Sequence, residues 1–140
     1  MSDFAMQPRP LVEARKAHMR ASHCNIALAD DDHAVRKSLA FLLTLTGNQV
    51  VDYASADEFL ERGDLNRVSG LILDHHMAHV TGLELAARLR AGGWQLPILL
   101  VTGAPSPAIA ARAAELGITK VLEKPSAEAD IMAFIDGLGG

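Results

Sequence analysis

The chain has a single cysteine, Cys24, among its 140 residues. That excludes an internal disulfide and any cysteine-built zinc cluster, and it fits a reducing compartment. It also lacks positive excess: 13 basic residues face 17 acidic ones, a formal net charge of -4. Nucleic-acid binding through bulk charge is therefore not expected. No apolar run approaches the ~20 residues that a bilayer span requires, and the N-terminus has no apolar stretch of the secretory type. The expectation is a cytoplasmic protein with no membrane and no direct nucleic-acid partner. What is present is a 49% hydrophobic composition. A chain of this length buries roughly 68% of its unfolded surface, enough for one domain without a disulfide or structural metal.

Residues 1–23 stand apart, with Pro8 and Pro10, a local basic excess (Arg9, Arg15, Lys16, Arg20) and no sustained hydrophobic period. They are expected to form a mobile N-terminal extension to a domain over 24–140. From Cys24 the pattern becomes regular. Asn25 to Ala29 is a short apolar run that stops at Asp30, Asp31 and Asp32. Val35, Leu39, Leu42 and Leu43 then recur at helical spacing, with Gly47 as the stop. Gln49 to Tyr53 reads as a strand. Ser55 and Glu58 have capping-box spacing for a helix whose buried side is Phe59 and Leu60. Leu71-Ile72-Leu73 ends in Asp74 and leads into a loop with three histidines, then a helix from about Thr81. Pro97 to Val101 ends at Thr102-Gly103. Pro107 suits the first turn of a helix running to Leu116. Ile118 to Leu122 ends at Glu123-Lys124-Pro125, and Ile131, Phe134, Ile135 and Leu138 form the apolar stripe of a last helix.

Five strands thus alternate with five helices, and the strands are continuous apolar runs of the kind buried on both faces. Right-handed crossovers then give a doubly wound α/β fold with a parallel sheet. Ligands of such sheets sit outside the carboxyl ends of the strands. Four strands end there in a chemically capable residue: Asp30 and Asp31, Asp74, Thr102 and Lys124. The second strand ends in Tyr53-Ala54 and belongs at the sheet edge. If Asp30, Asp31 and Asp74 converge, two carboxylates about 4 Å apart repel by roughly 4 kcal/mol at an effective dielectric near 20. The cluster must take up a proton or hold a cation. An all-oxygen site suits a hard ion, Mg²⁺ above all. With the Lys124 ammonium and the Thr102 hydroxyl beside it, the cluster is a receptor for a phosphoryl group, and one carboxylate can be the nucleophile.

These motifs together resemble the receiver domain of two-component response regulators. They are Asp30-Asp31, Leu71 to Asp74 with Met77 and Gly82 behind it, Val101-Thr102-Gly103, and Glu123-Lys124-Pro125. The resemblance covers about Asn25 to Gly137, about four-fifths of the chain. Val35-Arg36-Lys37-Ser38-Leu39 and Tyr53-Ala54-Ser55-Ala56 are most similar to receivers usually joined to a LuxR-type helix-turn-helix. The resemblance implies a flavodoxin-like five-stranded sheet in the order 2-1-3-4-5. It implies that Asp74 accepts phosphate from the phosphohistidine of a sensor histidine kinase or phosphotransfer protein. It further implies that Asp31 binds Mg²⁺ directly, Asp30 mostly through water, and the His76 backbone carbonyl as a further ligand. The same resemblance implies that Thr102, Lys124 and Gly103 form the switch and phosphate-binding set, and that His76 and Ala104 occupy positions that tune phosphoryl lifetime. Asp32 reads as a helix N-cap.

The chain departs from the family at Ala78, where proline usually follows Met77, at Ser126, and at Val121. There receivers commonly carry an aromatic ring that turns inward when the threonine moves. Two other classes compete. Asp74-His75-His76 resembles the DHH motif of metal-dependent phosphoesterases, and His75, His76 and His79 invite a metal. A receiver fold that no longer takes phosphate is the second. With the sequence ending at Gly140, a stand-alone receiver is the expectation, acting through partner binding or a phosphate relay. The alanine-rich fourth helix (Ala108, Ala110, Ala111, Ala113, Ala114) and the fifth strand offer a flat surface for a homodimer. The His76 ring is expected to reach the edge of the phosphoryl group and alter its lifetime.

Overall fold

A computed structural model describes residues 24–138; the N-terminal extension read from sequence lies outside the described residues. The elements run β1 (Asn25–Ala29), α1 (His33–Leu45), β2 (Gln49–Tyr53), α2 (Ala56–Arg62), β3 (Gly70–Asp74), α3 (Gly82–Ala91), β4 (Ile98–Thr102), α4 (Pro107–Glu115), β5 (Lys120–Glu123) and α5 (Glu128–Leu138). A short 3₁₀ turn, Leu65–Arg67, precedes β3 and had no distinct signal in the sequence. All strand pairs are parallel, in the expected order β2-β1-β3-β4-β5. None of the described helices is long and apolar enough to cross a membrane.

The three inner strands supply side chains to both faces, which is why they read as unbroken apolar runs. Successive residues point to opposite sides of a strand. Ala27, Leu71, Leu73, Ile98 and Leu100 therefore meet Phe59, Leu85 and Leu89 of the helices on one face. Ile26, Leu28, Ile72, Leu99 and Val101 meet Leu43, Ile131, Phe134 and Ile135 on the other. Each fully buried side chain of this kind contributes roughly 1.5–3 kcal/mol.

Helix starts follow their sequence signals closely. Asp32, Ser55, Thr81 and Ser106 each accept a bond from the backbone N–H three residues on, worth about 1 kcal/mol per cap. Pro107 occupies the first turn of α4. The reciprocal capping box forms at Thr81 and Glu84 rather than at Ser55. Glu58 instead takes its return bond from the Ala54 N–H at 2.7 Å, one residue before the cap.

Three assignments from sequence are corrected. Leu60 is exposed, because the short α2 turns only Ala56 and Phe59 inward. Val35 is exposed as well, while the neighbouring Arg36 is buried. The fifth strand begins at Lys120, not Ile118. The Ile118 N–H bonds the Ala113 carbonyl and so closes the end of α4, after Gly117 turns the chain at φ 66.

Two contacts set the ends of the elements. Gly82 opens α3 where a Cβ would stand 2.8 Å from the Asp74 carbonyl oxygen and 2.7 Å from the Leu100 Cδ1. Only hydrogen fits there, and the helix start is thereby held against the tip of β3. At the opposite edge of the sheet the Arg90 guanidinium donates to four backbone carbonyls. Nε reaches Leu116 at 2.7 Å, Nη1 reaches Trp94 and Leu96 at 2.9 Å each, and Nη2 reaches Gly117 at 3.3 Å. Lysine keeps the charge but not the fork. Arg90→Lys is expected to lose about 1–3 kcal/mol of stability, read from the urea midpoint at unchanged denaturant slope.

Candidate functional site

Strand register determines which residues meet at the carboxyl edge. Ala29 pairs with Leu73, Asp74 with Val101, and Thr102 with Glu123. Asp30, Asp74, Thr102 and Lys124 therefore stand side by side although they come from four separate strand ends. Two backbone bonds extend the pairing past the strands: His75 N–H to the Val101 carbonyl at 2.9 Å, and Lys124 N–H to the Thr102 carbonyl at 2.8 Å. They fix where the side chains of the site begin.

Asp30 and Asp74 are each only 4% exposed. The Lys124 ammonium lies between them, with Nζ 3.2 Å from Asp30 Oδ2 and 3.2 Å from Asp74 Oδ1. Asp30 Oδ1 also accepts from the Asp32 N–H at 2.8 Å, and Asp74 Oδ1 from the His76 N–H at 3.2 Å. Asp31 is exposed beside them. The three acids can place one oxygen each within 4.8 Å of one another, the sole such metal-competent group among the described residues. Asp32 is outside it, spent on capping α1 as expected.

Burial pushes the Asp74 carboxyl upward from its ordinary range, and the Asp30 charge pushes it further. Lys124 and the His76 N–H pull the other way without prevailing. For Lys124 burial works against the ammonium, but the two carboxylates outweigh it and hold the amine above the usual lysine range. The cluster thus contains more negative charge than its one ammonium neutralises. An oxygen-lined site with surplus charge suits a small hard cation. Its residues fit a magnesium ion, since Asp30, Asp31 and Asp74 each offer one carboxylate oxygen.

Thr102 is fully buried. Its Oγ1 accepts from the Ala104 N–H at 3.1 Å and lies 2.8 Å from the His76 Nε2. Gly103 is exposed, and a Cβ there would meet nothing within 4 Å, so no crowding requires glycine at that position. Val121 is partly buried against the core on the α3 and α4 side.

The three loop histidines do not gather. The His75 ring is partly buried with its Nδ1 unpartnered, and burial lowers its proton affinity. The His76 ring meets it edge-on at 5.0 Å and turns to Thr102. His79 sits apart in the left-handed region at φ 68. Asp74, His75 and His76 therefore do not form a shared metal site, as the DHH comparison would need. The exposed His76 residue turns its ring to the Thr102 hydroxyl.

Arg36 is a site residue that sequence reading passed over. Its Nη1 donates to the Asp30 carbonyl at 2.8 Å, its Nε to Asp52 Oδ2 at 2.9 Å, and Nη2 lies 3.1 Å from His33 Nδ1. Asp52 also pairs with Lys37 at 3.0 Å. Burial raises the Asp52 carboxyl, but Lys37 and Arg36 together bring it below its ordinary value. This ion cluster ties α1 and β2 to the backbone of the acidic site. No pattern distinguishes such an arginine from a solvated one before the fold is known. Beside the site an apolar cavity of about 640 Å³ between α1 and α5 opens on Asp30, Asp74 and Lys124.

Comparisons with known proteins agree with this geometry. Residues 26–136 match the family model described as the response regulator receiver domain. The chain is 37% identical over 110 residues to the transcriptional regulatory protein FixJ of Azorhizobium caulinodans, covering 79% of this chain and 52% of that one. It is 31% identical to the response regulator protein TmoT of Ectopseudomonas mendocina, over 86% of this chain and 54% of the relative. The chain thus spans about half the length of these curated relatives. Among solved structures, the non-phosphorylated HemR receiver domain from Leptospira biflexa superposes with a TM-score of 0.77 at 20% identity, covering 84% of this chain and 94% of that one. At that identity the likeness concerns the fold alone.

Surplus negative charge has a measurable signature. A carboxyl whose affinity for protons is higher in the folded state makes the folded protein bind more protons than the unfolded one, so stability falls as pH rises through the interval between the two values. In Lys124→Met the close ammonium that holds Asp74 down is gone, and the Asp74 carboxyl rises further. Its urea midpoint is expected to increase as pH is lowered from neutral toward the ordinary carboxylate range, more steeply than that of the wild type. A flat profile in the variant would show that the ammonium does not neutralise the pair.

Proposed function

Because the chain belongs to the response regulator receiver domain family, we propose that it is a cytoplasmic phosphoacceptor in which Asp74 takes a phosphoryl group from the phosphohistidine of a sensor histidine kinase or phosphotransfer protein. The observation that carries this reading is the Lys124 ammonium 3.2 Å from both Asp30 and Asp74. An Asp74 oxygen attacks phosphorus as the N–P bond to the donor imidazole breaks, and the imidazole leaves with the electron pair. No group on this chain other than Asp74 changes its covalent bonds. The remaining residues position and compensate charge, which is most of what phosphoryl transfer asks of a protein.

Lys124 already lies on an Asp74 oxygen and pairs with a phosphoryl oxygen as it arrives. Thr102 supplies a hydroxyl from the adjacent strand end, with Gly103 and Ala104 following it at the mouth. Asp30, Asp31 and Asp74, with the His76 backbone carbonyl, would hold the magnesium ion. Its chemistry is to neutralise the charge that gathers between the carboxylates and the phosphoryl group. His76 and Ala104 flank the bond to be hydrolysed and tune its lifetime. The reading makes the chain a signalling acceptor with slow self-dephosphorylation rather than a phosphoesterase. The metal-competent group of Asp30, Asp31 and Asp74 includes no described histidine, which favours that choice.

Incubation with acetyl phosphate and magnesium should add the mass of one phosphoryl group, observed on the intact protein. The gain should vanish in Asp74→Asn and after chelation of magnesium. No gain in the wild type would leave a receiver-fold interaction module that is no longer phosphorylated.

The outer face of α4 supports a contact surface. Ala108, Ala110, Ala111 and Ala114 are exposed, while Ala113 turns into the core. With exposed Lys120 on β5 they form the surface proposed to pair two phosphorylated copies. Sedimentation with magnesium and beryllofluoride should shift monomer to dimer. An unchanged monomer at high concentration removes the dimer.

A further inference from the structure

We infer that the His76 ring is a latch on Thr102. It holds the threonine hydroxyl in the unphosphorylated arrangement and is released when that hydroxyl turns to the phosphoryl group. The inference rests on the phosphoacceptor reading and extends it to how the event leaves the site.

His76 touches both partners of the event at once. Its backbone N–H donates to Asp74 Oδ1 at 3.2 Å, and its ring Nε2 lies 2.8 Å from Thr102 Oγ1. One residue thus links the acceptor carboxylate on β3 to the hydroxyl on β4. Thr102 has no exposed surface of its own, so its hydroxyl must find its partners within the protein. The Ala104 N–H occupies one lone pair at 3.1 Å. Whichever of the two donates, the Nε2–Oγ1 bond holds the hydroxyl against the ring, and turning that hydroxyl to a phosphoryl oxygen requires the bond to break. The ring itself is on an exposed residue, so once released it has solvent to enter.

The surroundings suit a loop with two arrangements. The ring next to His76, that of His75, keeps a buried Nδ1 without a hydrogen-bond partner. Buried polar atoms are ordinarily paired, so this arrangement leaves an unmet bond that another arrangement can satisfy. His79, further along the same loop, occupies the left-handed region at φ 68, which costs a non-glycine residue energy. Meanwhile β5 carries Val121, which has no polar atom with which to follow the threonine. The hydroxyl's described side-chain partner is on β3's loop, not on β5. Release of the ring therefore sends the signal toward the β3–α3 loop, ahead of α3.

The test uses the whole chain, magnesium beryllofluoride as the phosphoryl mimic, and imidazole ¹⁵N spectra at a pH where histidines are neutral. In the unliganded protein the His76 ring signal should shift in Thr102→Val. In the wild type, beryllofluoride should move the signal to the same position. His76→Phe, which keeps a ring but no hydrogen bond, should bind the mimic about fivefold more tightly, the factor expected for one neutral hydrogen bond no longer opposed. His76→Gln, whose amide can renew the bond, should return toward wild-type affinity. In Thr102→Val the His76→Phe change should alter affinity by less than about twofold, since the coupling is gone. If the wild type binds but the His76 signal stays put, or if His76→Phe binds equally or more weakly, the latch is overturned and the phosphoacceptor reading stands. If the wild type takes up no beryllofluoride, the phosphoacceptor reading falls and the latch falls with it.

Discussion

One ammonium placed between two buried carboxylates is the interaction on which the rest of the structure depends. Asp30 and Asp74 are both nearly inaccessible, and two such charges about 4 Å apart repel by roughly 4 kcal/mol at an effective dielectric near 20. Lys124 meets both at 3.2 Å, and its contact with Asp30 closes a sequence separation of 94 residues. The arrangement is tolerable rather than neutral. Asp74 still holds its proton more firmly than an ordinary carboxyl. That residual imbalance suits the site to a small cation, the premise of the proposed phosphoacceptor role.

The parallel sheet delivers this arrangement. Each strand ends at the same edge, so one register step per neighbour is enough to align Asp30, Asp74, Thr102 and Lys124. The helices on both faces make the strands apolar and keep polar groups to the ends. Stability is organised accordingly. Gly82 brings α3 against the tip of β3, and Arg36 secures the Asp30 backbone from beneath. At the far edge Arg90 draws together the chain segments entering β4 and β5 through four carbonyls. One edge is stabilised by well-paired bonds; the other retains uncompensated charge and an unpartnered His75 nitrogen. The proposed acceptance of a charged group would fall at the less satisfied edge, where local rearrangement costs least.

The departures from the family pattern acquire a common meaning in this light. Val121 stands on β5 where the family commonly has an aromatic ring, while His76, in the loop after β3, brings a hydrogen-bonding ring to the threonine. Ala78, where proline is usual, and the left-handed His79 lie in the loop that carries this ring. The changes concentrate where the consequence of phosphorylation would be read, while Asp30, Asp31, Asp74, Thr102 and Lys124 converge unaltered.

Much of this was legible before any coordinates. Apolar runs broken by Asp30, Asp74, Thr102 and Lys124 specify both the alternation of strands and helices and the edge at which the chemistry sits, because a strand buried on both faces has nowhere but its end to place a polar group. Caps at Asp32 and Ser55 were equally readable, since capping depends on residues three apart. The burial of Arg36, the pairing of His76 with Thr102, the turn of Leu60 to solvent and the late start of β5 were not. Each depends on what another segment places opposite: Asp52 and the Asp30 carbonyl for Arg36, the β4 hydroxyl for His76, the Ala113 carbonyl for Ile118. Local pattern determined which residues were available at the site, because periodicity and end signals act over a few neighbours. Tertiary structure decided which of them touch, because hydrogen bonds and ion pairs between distant segments exist only once the register of the sheet has set their separation.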